Sequence, residues 1–178
     1  EKIVLYVGRL NKSKGIDLLV RAYADILKKL ANVRLVIVGP DDGFKSKLIN
    51  LIEKLNIKDK VLFTGFVSQP EKIEIFIDSD VFVTPKFSGF PLTFLEALVC
   101  GIPIITTNTG DKLDWIDNKV GYVVDYTEDD LKKAILGILN DKELKKKSAE
   151  GGRYLIKTQF NWEKIINKIE EQYLQSIS

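Results

Sequence analysis

Hydrophobic positions along the chain follow two alternating patterns. Residues 3–7, 33–38, 61–63, 81–83, 102–106 and 122–124 are short apolar runs, and each reads as a buried strand. Between them, Ile16, Leu19, Val20, Tyr23, Ile26, Leu27 and Leu30 recur at helical spacing. Leu48, Ile49, Ile52 and Leu55 repeat that spacing, as do Leu92, Leu95, Leu98 and Val99, where Gly101 is placed to end the helix. Residues 71–77 read as a further helix and 113–116 as a short one. After Asp125 the pattern is helical throughout, with segments at 129–139, 143–157 and 161–176. Near-continuous apolar strands separated by helices predict a parallel sheet buried on both faces. The expected architecture is a doubly wound α/β domain with a helical C-terminal tail. Such sheets bind ligands outside the carboxyl ends of their strands, so the loops after Val7, Val38, Phe63, Val83 and Thr106 are the ones to search.

Composition narrows the chemistry. The 178 residues fit a single domain at 1–178, and no repeat, low-complexity stretch or linker interrupts them. Lys plus Arg number 27 against 25 Asp plus Glu, a balance that excludes a dedicated nucleic-acid binder. No stretch of 18 apolar residues predicts a transmembrane helix, and the opening strand carries no signal-peptide pattern, so a cytoplasmic protein is expected. Cys100 is the only cysteine and histidine is absent, which excludes intrachain disulfides, Ser-His-Asp triads and histidine or cysteine-cluster zinc sites. Methionine is also absent, even at position 1, and the chain opens directly on a core strand. The expectation is a domain taken from a longer protein, with any histidine chemistry in the remainder.

Two loops hold candidate chemistry. The first, residues 8–15, places Arg9 and Lys14 between a strand end and a helix start, where Gly8 permits close backbone approach. Two cations beside the positive end of a helix dipole suit a phosphate or diphosphate; a solvated basic loop is the other reading. Neither G-x4-G-K-[S/T] nor G-x-G-x-x-G occurs, so the two commonest nucleotide loops are excluded. In the second, residues 85–96, Gly89 and Pro91 shape a turn before a helix whose first amides are free to bind an anion. Glu96 falls in or near that helix's first turn among apolar neighbours. A carboxylate there needs good hydrogen-bond donors, which a pair of ribose hydroxyls supplies; a dipole-complementing surface residue is the alternative.

Together these segments resemble the nucleotide-sugar-binding C-terminal half of retaining glycosyltransferases of family 4, which have the Rossmann-like GT-B fold. Gly8-Arg9-Leu10 with Lys14-Gly15 resembles that family's G-R-L-x-x-x-K-G element, and residues 35–39 its L-x-I-x-G strand and loop. Residues 61–67 resemble V-x-F-x-G-x-V. Ser88-Gly89-Phe90-Pro91-Leu92 through Leu95-Glu96-Ala97 and Gly101-Ile102-Pro103-Ile104 resembles the E-G-F-x-L-x-x-L-E-A-x-x-x-G-x-P-V block. Phe160-Asn161-Trp162 is similar to the F-x-W that opens the last helix. The five pieces occur in the family's order and span essentially the whole chain.

The resemblance implies that Arg9 and Lys14 neutralise the diphosphate of a nucleoside diphosphate sugar and stabilise it as it departs. It places Gly8 and Gly39 at the strand ends, backbone around Phe66 and Val67 at the base, and Glu96 at the ribose hydroxyls. The segment Gly89, Phe90, Pro91, Leu92 and Thr93 would hold the distal phosphate and sugar. No cofactor and no metal are expected, since cations and a helix dipole take the metal's role. The partners implied are the donor, an N-terminal acceptor domain and, for the full enzyme, a peripheral membrane contact. One departure stands out: the first of the family's two glutamates falls on Ser88, which offers a sugar a hydrogen bond but no charge. An active enzyme with altered sugar choice, a weak variant and a non-catalytic binding or interaction module all fit that change. Another GT-B enzyme such as a nucleotide-sugar epimerase is a further alternative.

Other residues have plainer readings. Asp41 and Asp42 read as a turn, with ribose or metal contact as the alternative. Cys100 reads as a small core residue and Asp111 as a helix cap. Asp114 near Trp115 and the loop 107–110 lie at the ligand-facing edge. Lys145-Lys146-Lys147 reads as a solvated helix face or a lipid contact. Trp162, Ile165, Ile166, Ile169, Tyr173 and Ile177 form an apolar stripe whose exposure would invite self-association.

Overall fold

Val, Ile and Phe at successive positions favour extended backbone, and the structure, a computed structural model, arranges them in one parallel sheet. It describes residues 1–87, 92–108, 113–117 and 119–177. The strands are Lys2–Val7 (β1), Val33–Val38 (β2), Val61–Gly65 (β3), Val81–Thr84 (β4), Ile104–Thr107 (β5) and Gly121–Val124 (β6). Their order is β3-β2-β1-β4-β5-β6, every pair parallel, with Val4 beside Leu35 and Tyr6 beside Ile37 in the central pair. The direction of winding reverses between β1 and β4.

The helices are Ile16–Leu27 (α1), Lys45–Lys54 (α2), Gln69–Asp78 (α3), Leu92–Val99 (α4), Glu128–Asn140 (α5), Lys142–Gln159 (α6) and Trp162–Ile177 (α7). Because strand side chains alternate, the inner strands feed two cores. Edge strand β3, expected to be buried, packs Val61 and Phe63 on one core and leaves Leu62 exposed. Val4, Tyr6, Leu35, Ile37, Val83 and Ile105 pack with the buried faces of α1, α2 and α5. Leu5, Val36, Phe82 and Ile104 pack on the opposite side with Phe76, Phe94, Leu98 and Leu155. The doubly wound fold and its helical tail match the sequence expectation.

Four local differences have identifiable causes. Helix α1 stops at Leu27, before Leu30, because the Lys29 and Leu30 amides both turn onto the Ile26 carbonyl at 2.9 Å. Strand β5 starts at Ile104, not 102, because the Ile102 amide is committed to closing α4. It donates to the Ala97 carbonyl at 2.9 Å while Gly101, at φ 75°, donates to Leu98 at 3.1 Å. Residues 113–116 form a turn rather than a helix: Ile116 closes on Leu113 at 2.8 Å, and the Asp117 side chain then accepts the Val123 amide at 3.2 Å. Lys145 is not simply solvated. Its ammonium lies 2.7 Å from Asp80 Oδ1, whose other oxygen accepts the Ile3 amide at 2.7 Å, tying α6 to the start of the central strands.

Cys100 is half-buried against the second core, and burial pushes its thiol pKa up. Of the predicted stripe, Ile166, Ile169 and Tyr173 on α7 are exposed, as is Leu174 beside them. No described helix is long and apolar enough to cross a membrane. Asp111 and residues 109–110 lie outside the described residues.

Candidate functional site

The sheet reverses its winding where β1 and β4 lie side by side, and parallel sheets bind ligands at such a point. A crevice opens at their carboxyl ends. Gly8, Arg9 and Lys14 come to it from the loop after β1, Lys86 and Phe87 from the loop after β4, and Leu92 and Thr93 from the start of α4. Its described lining holds three cations, Arg9, Lys14 and Lys86, and no carboxylate. Tyr6 lies at its base; burial raises the phenol pKa above its ordinary value, and the neutral hydroxyl donates to the Arg9 carbonyl at 3.1 Å. Buried Thr106 donates to the Thr84 carbonyl at 2.8 Å, and buried Thr107 donates to that of Pro85, so the end of β4 is pinned to β5.

The loop after β1 is held by its neighbour after β2. Leu10 is buried, its amide donating to Pro40 at 2.9 Å and its carbonyl accepting from Asp42 at 3.1 Å. Asn11 Oδ1 accepts the Ser13 amide at 2.9 Å, shaping the Lys12–Lys14 turn that leads into α1. The Asp42 carboxylate then meets Arg9 Nη2 at 2.9 Å and Asn11 Nδ2 at 3.0 Å. Arg9 remains 69% exposed, so Asp42 steers the guanidinium from one side and leaves the rest open to a ligand.

A second groove of about 390 Å³ adjoins the crevice through Val7, Gly8 and Arg9. Gly39 and Pro40 line it from the loop after β2, and Phe66, Val67, Gln69 and Lys72 from the segment after β3. Phe66 is 81% exposed there, an apolar ring open to a planar partner. Glu96 is the fifth residue of α4, just past the first turn, near where the sequence reading placed it. Lys72 donates to its Oε1 at 2.7 Å and Gln69 at 3.4 Å, whereas its Oε2 is buried without a hydrogen-bond partner among the described residues. Among the described residues, one carboxylate oxygen therefore has donors and the other has none.

The structure brings Gly8, Arg9, Lys14, Leu92 and Thr93 to the crevice and Gly39, Phe66 and Val67 to the groove beside it. Ser88, Gly89, Phe90 and Pro91 lie outside the described residues. Sequence reading gave Asp42 as a turn residue, without its tie to Arg9, and missed Lys86, Gln69 and Lys72. For the last two a signal existed: they stand three apart at the head of a helix following a strand, which puts both on one face.

Asp41 plays the plainer of its two roles. Its Oδ1 accepts the Lys45 amide at 3.0 Å and the Phe44 amide at 3.1 Å at the head of α2, and these bonds, the Lys45 one foremost, lower its pKa. A depressed carboxyl contributes stability above its unfolded pKa, about 3.9, that is lost as pH falls through the folded value. Hydrogen-exchange protection at Phe44 and Lys45, corrected for intrinsic rate, is expected to fall below about pH 4. Asp41→Ala should abolish that pH dependence, and unchanged protection in the variant would contradict the cap.

The family pattern for glycosyl transferases group 1 matches residues 1–155. This chain belongs to that family. The group 1 assignment agrees with individual relatives. N-acetyl-alpha-D-glucosaminyl L-malate synthase of Bacillus anthracis is 30% identical over 176 residues, 97% of this chain and 45% of that protein. Sucrose-phosphate synthase from Thermosynechococcus elongatus is 30% identical in sequence and has a TM-score of 0.87, over 99% of this chain and 46% of that one. S. aureus TarM, whose structure holds Fondaparinux, alpha-GlcNAc-glycerol and UDP, is 27% identical with a TM-score of 0.87 over 96% of this chain and 35% of its own. Homologues and structural neighbours are glycosyltransferases, and the fold is that of GT-B enzymes. The chain spans about half the length of the curated relatives it matches.

Proposed function

We propose that this chain is the donor-binding half of a retaining family 4 glycosyltransferase, which moves a sugar from a nucleoside diphosphate sugar to an acceptor. The observation that carries this reading is the crevice between β1 and β4, where Arg9, Lys14 and Lys86 converge without an acidic residue among the described lining. A diphosphate there meets three positive charges. As the bond between the sugar's anomeric carbon and the diphosphate oxygen breaks, the electron pair stays on that oxygen. The same cations stabilise the growing charge in place, without reorganisation. In this reading they do the work a divalent metal does elsewhere, and no cofactor is needed. The base lies in the groove beside Phe66 and Val67, and the ribose reaches Glu96. The distal phosphate and sugar reach the segment from Gly89 to Thr93.

Acceptor recognition belongs, in this proposal, to an N-terminal domain, consistent with coverage of 45% of the Bacillus anthracis relative. The complete enzyme is cytoplasmic and meets any membrane acceptor peripherally. Ser88, in place of a glutamate, favours a second reading, a donor-binding module without transfer activity. Calorimetric titration with UDP, GDP and ADP tests the proposal. One of the three is expected to bind with micromolar Kd, about −8 kcal/mol, while this chain alone transfers no sugar. Absence of binding by all three would overturn it.

A further inference from the structure

Glu96 is bound on one oxygen and bare on the other, and what binds it belongs to the wall of the nucleoside groove. Lys72 Nζ sits 2.7 Å from Glu96 Oε1, with the two side chains only 20% and 28% exposed. Water therefore screens this pair less than a surface pair, and the carboxylate is held in one place. The lysine is itself anchored. Helix α3 begins with a capping box in which Glu71 accepts from the Ser68 amide and hydroxyl at 2.7 Å each. That box fixes the first turn carrying Gln69 and Lys72. Lys72 thus links the head of α3 to the middle of α4.

We propose that Lys72 is a positioning residue: it fixes Glu96 so that Oε2 accepts a ribose hydroxyl, and the site thereby distinguishes ribonucleotides from deoxynucleotides. This rests on the donor-site reading given above. Leaving a buried carboxylate oxygen without a donor is costly, and an ionised carboxylate can accept several hydrogen bonds. Lys72 and Gln69 together satisfy Oε1 alone. A vicinal diol on a nucleoside seated beside Gln69 and Lys72 would bring the missing donor to Oε2. A nucleotide lacking the relevant hydroxyl brings Oε2 no donor, and forfeits that bond. With Lys72 gone, the carboxylate is free to rotate and to recruit water, and selectivity drops even though Glu96 is present.

The test is calorimetric titration with UDP, GDP and ADP, followed by the 2′-deoxy and 3′-deoxy forms of whichever binds. The unmodified chain is expected to prefer the ribonucleotide over at least one deoxy form by roughly 10- to 100-fold. Lys72→Met should compress that preference to about threefold or less. Lys72→Arg, which keeps the charge and a donor, should restore most of it. Equal weakening of ribo and deoxy forms by Lys72→Met, or a preference that survives it, overturns the inference. Glu96→Gln separates the two levels. If it leaves every affinity unchanged, or if no nucleotide binds at all, the donor-site reading fails. If it collapses the preference while Lys72→Met does not, only the role of Lys72 fails.

Discussion

Replacing Arg9 and Lys14 together by methionine should cost a nucleoside diphosphate most of its affinity, roughly a thousandfold, while the fold survives. A hydrogen bond to a charged group contributes about 1.5–3 kcal/mol, so losing two removes about 3–6 kcal/mol. Methionine keeps much of the apolar stem and removes only the charge, so packing changes little. Lys86 remains in the crevice, which is why binding weakens rather than vanishes. The control is the free nucleoside. Uridine, guanosine or adenosine carries no phosphate for the cations to hold, and its affinity should change by less than about threefold. Calorimetry on both ligands decides the matter: equal loss for nucleoside and diphosphate would show that the cations support the fold and not the phosphates.

Much of this site was legible because its parts are local. A strand end, a glycine and two cations in eight residues specify a loop that stays where the strand puts it, and Arg9 and Lys14 do share a crevice. The sheet was legible for a similar reason, since strands buried on both faces lack polar alternation. What escaped were pairings across distance. Asp42 meets Arg9, and Lys72 meets Glu96, because separate loops and helices fold toward one another, and nothing in the spacing of either residue names its partner. Glu96 illustrates the consequence: its acidity in an apolar stretch was visible, but the ammonium that already occupies one oxygen was not. The late start of β5 has the same origin, a backbone amide committed to the preceding helix. Lys145 read as a solvated charge because its counter-ion Asp80, just before β4, is distant in sequence.

Gly39→Ala is expected to be the most damaging single change near the site. Gly39 adopts φ 138°, a region that residues with a Cβ rarely enter, and an added Cβ would lie 2.0 Å from the Gly8 carbonyl oxygen. Separations under 3.0 Å require something to move, and here the obstacle is backbone. That backbone is tightly held: Gly8 donates to Val38, Gly39 to Gly65 and Leu10 to Pro40, each at 2.9 Å. Relieving the clash therefore separates the loops after β1 and β2, strains these bonds and pulls Arg9 away from Asp42. Backbone strain plus a disturbed bond or two amounts to about 3 kcal/mol or more. At roughly 2–4 °C per kcal/mol for a chain of this size, the melting temperature should fall by about 6–12 °C. Nucleotide affinity should fall as well, because the displaced loop carries Arg9 and Lys14. Gly43→Ala is the matched control: its φ of 79° is also positive, but no atom lies within 4 Å of the new Cβ. It should cost only about 1 kcal/mol and leave binding unchanged. Equal destabilisation by the two substitutions would show that the cost lies in the backbone angle and not in the contact between the β1 and β2 loops.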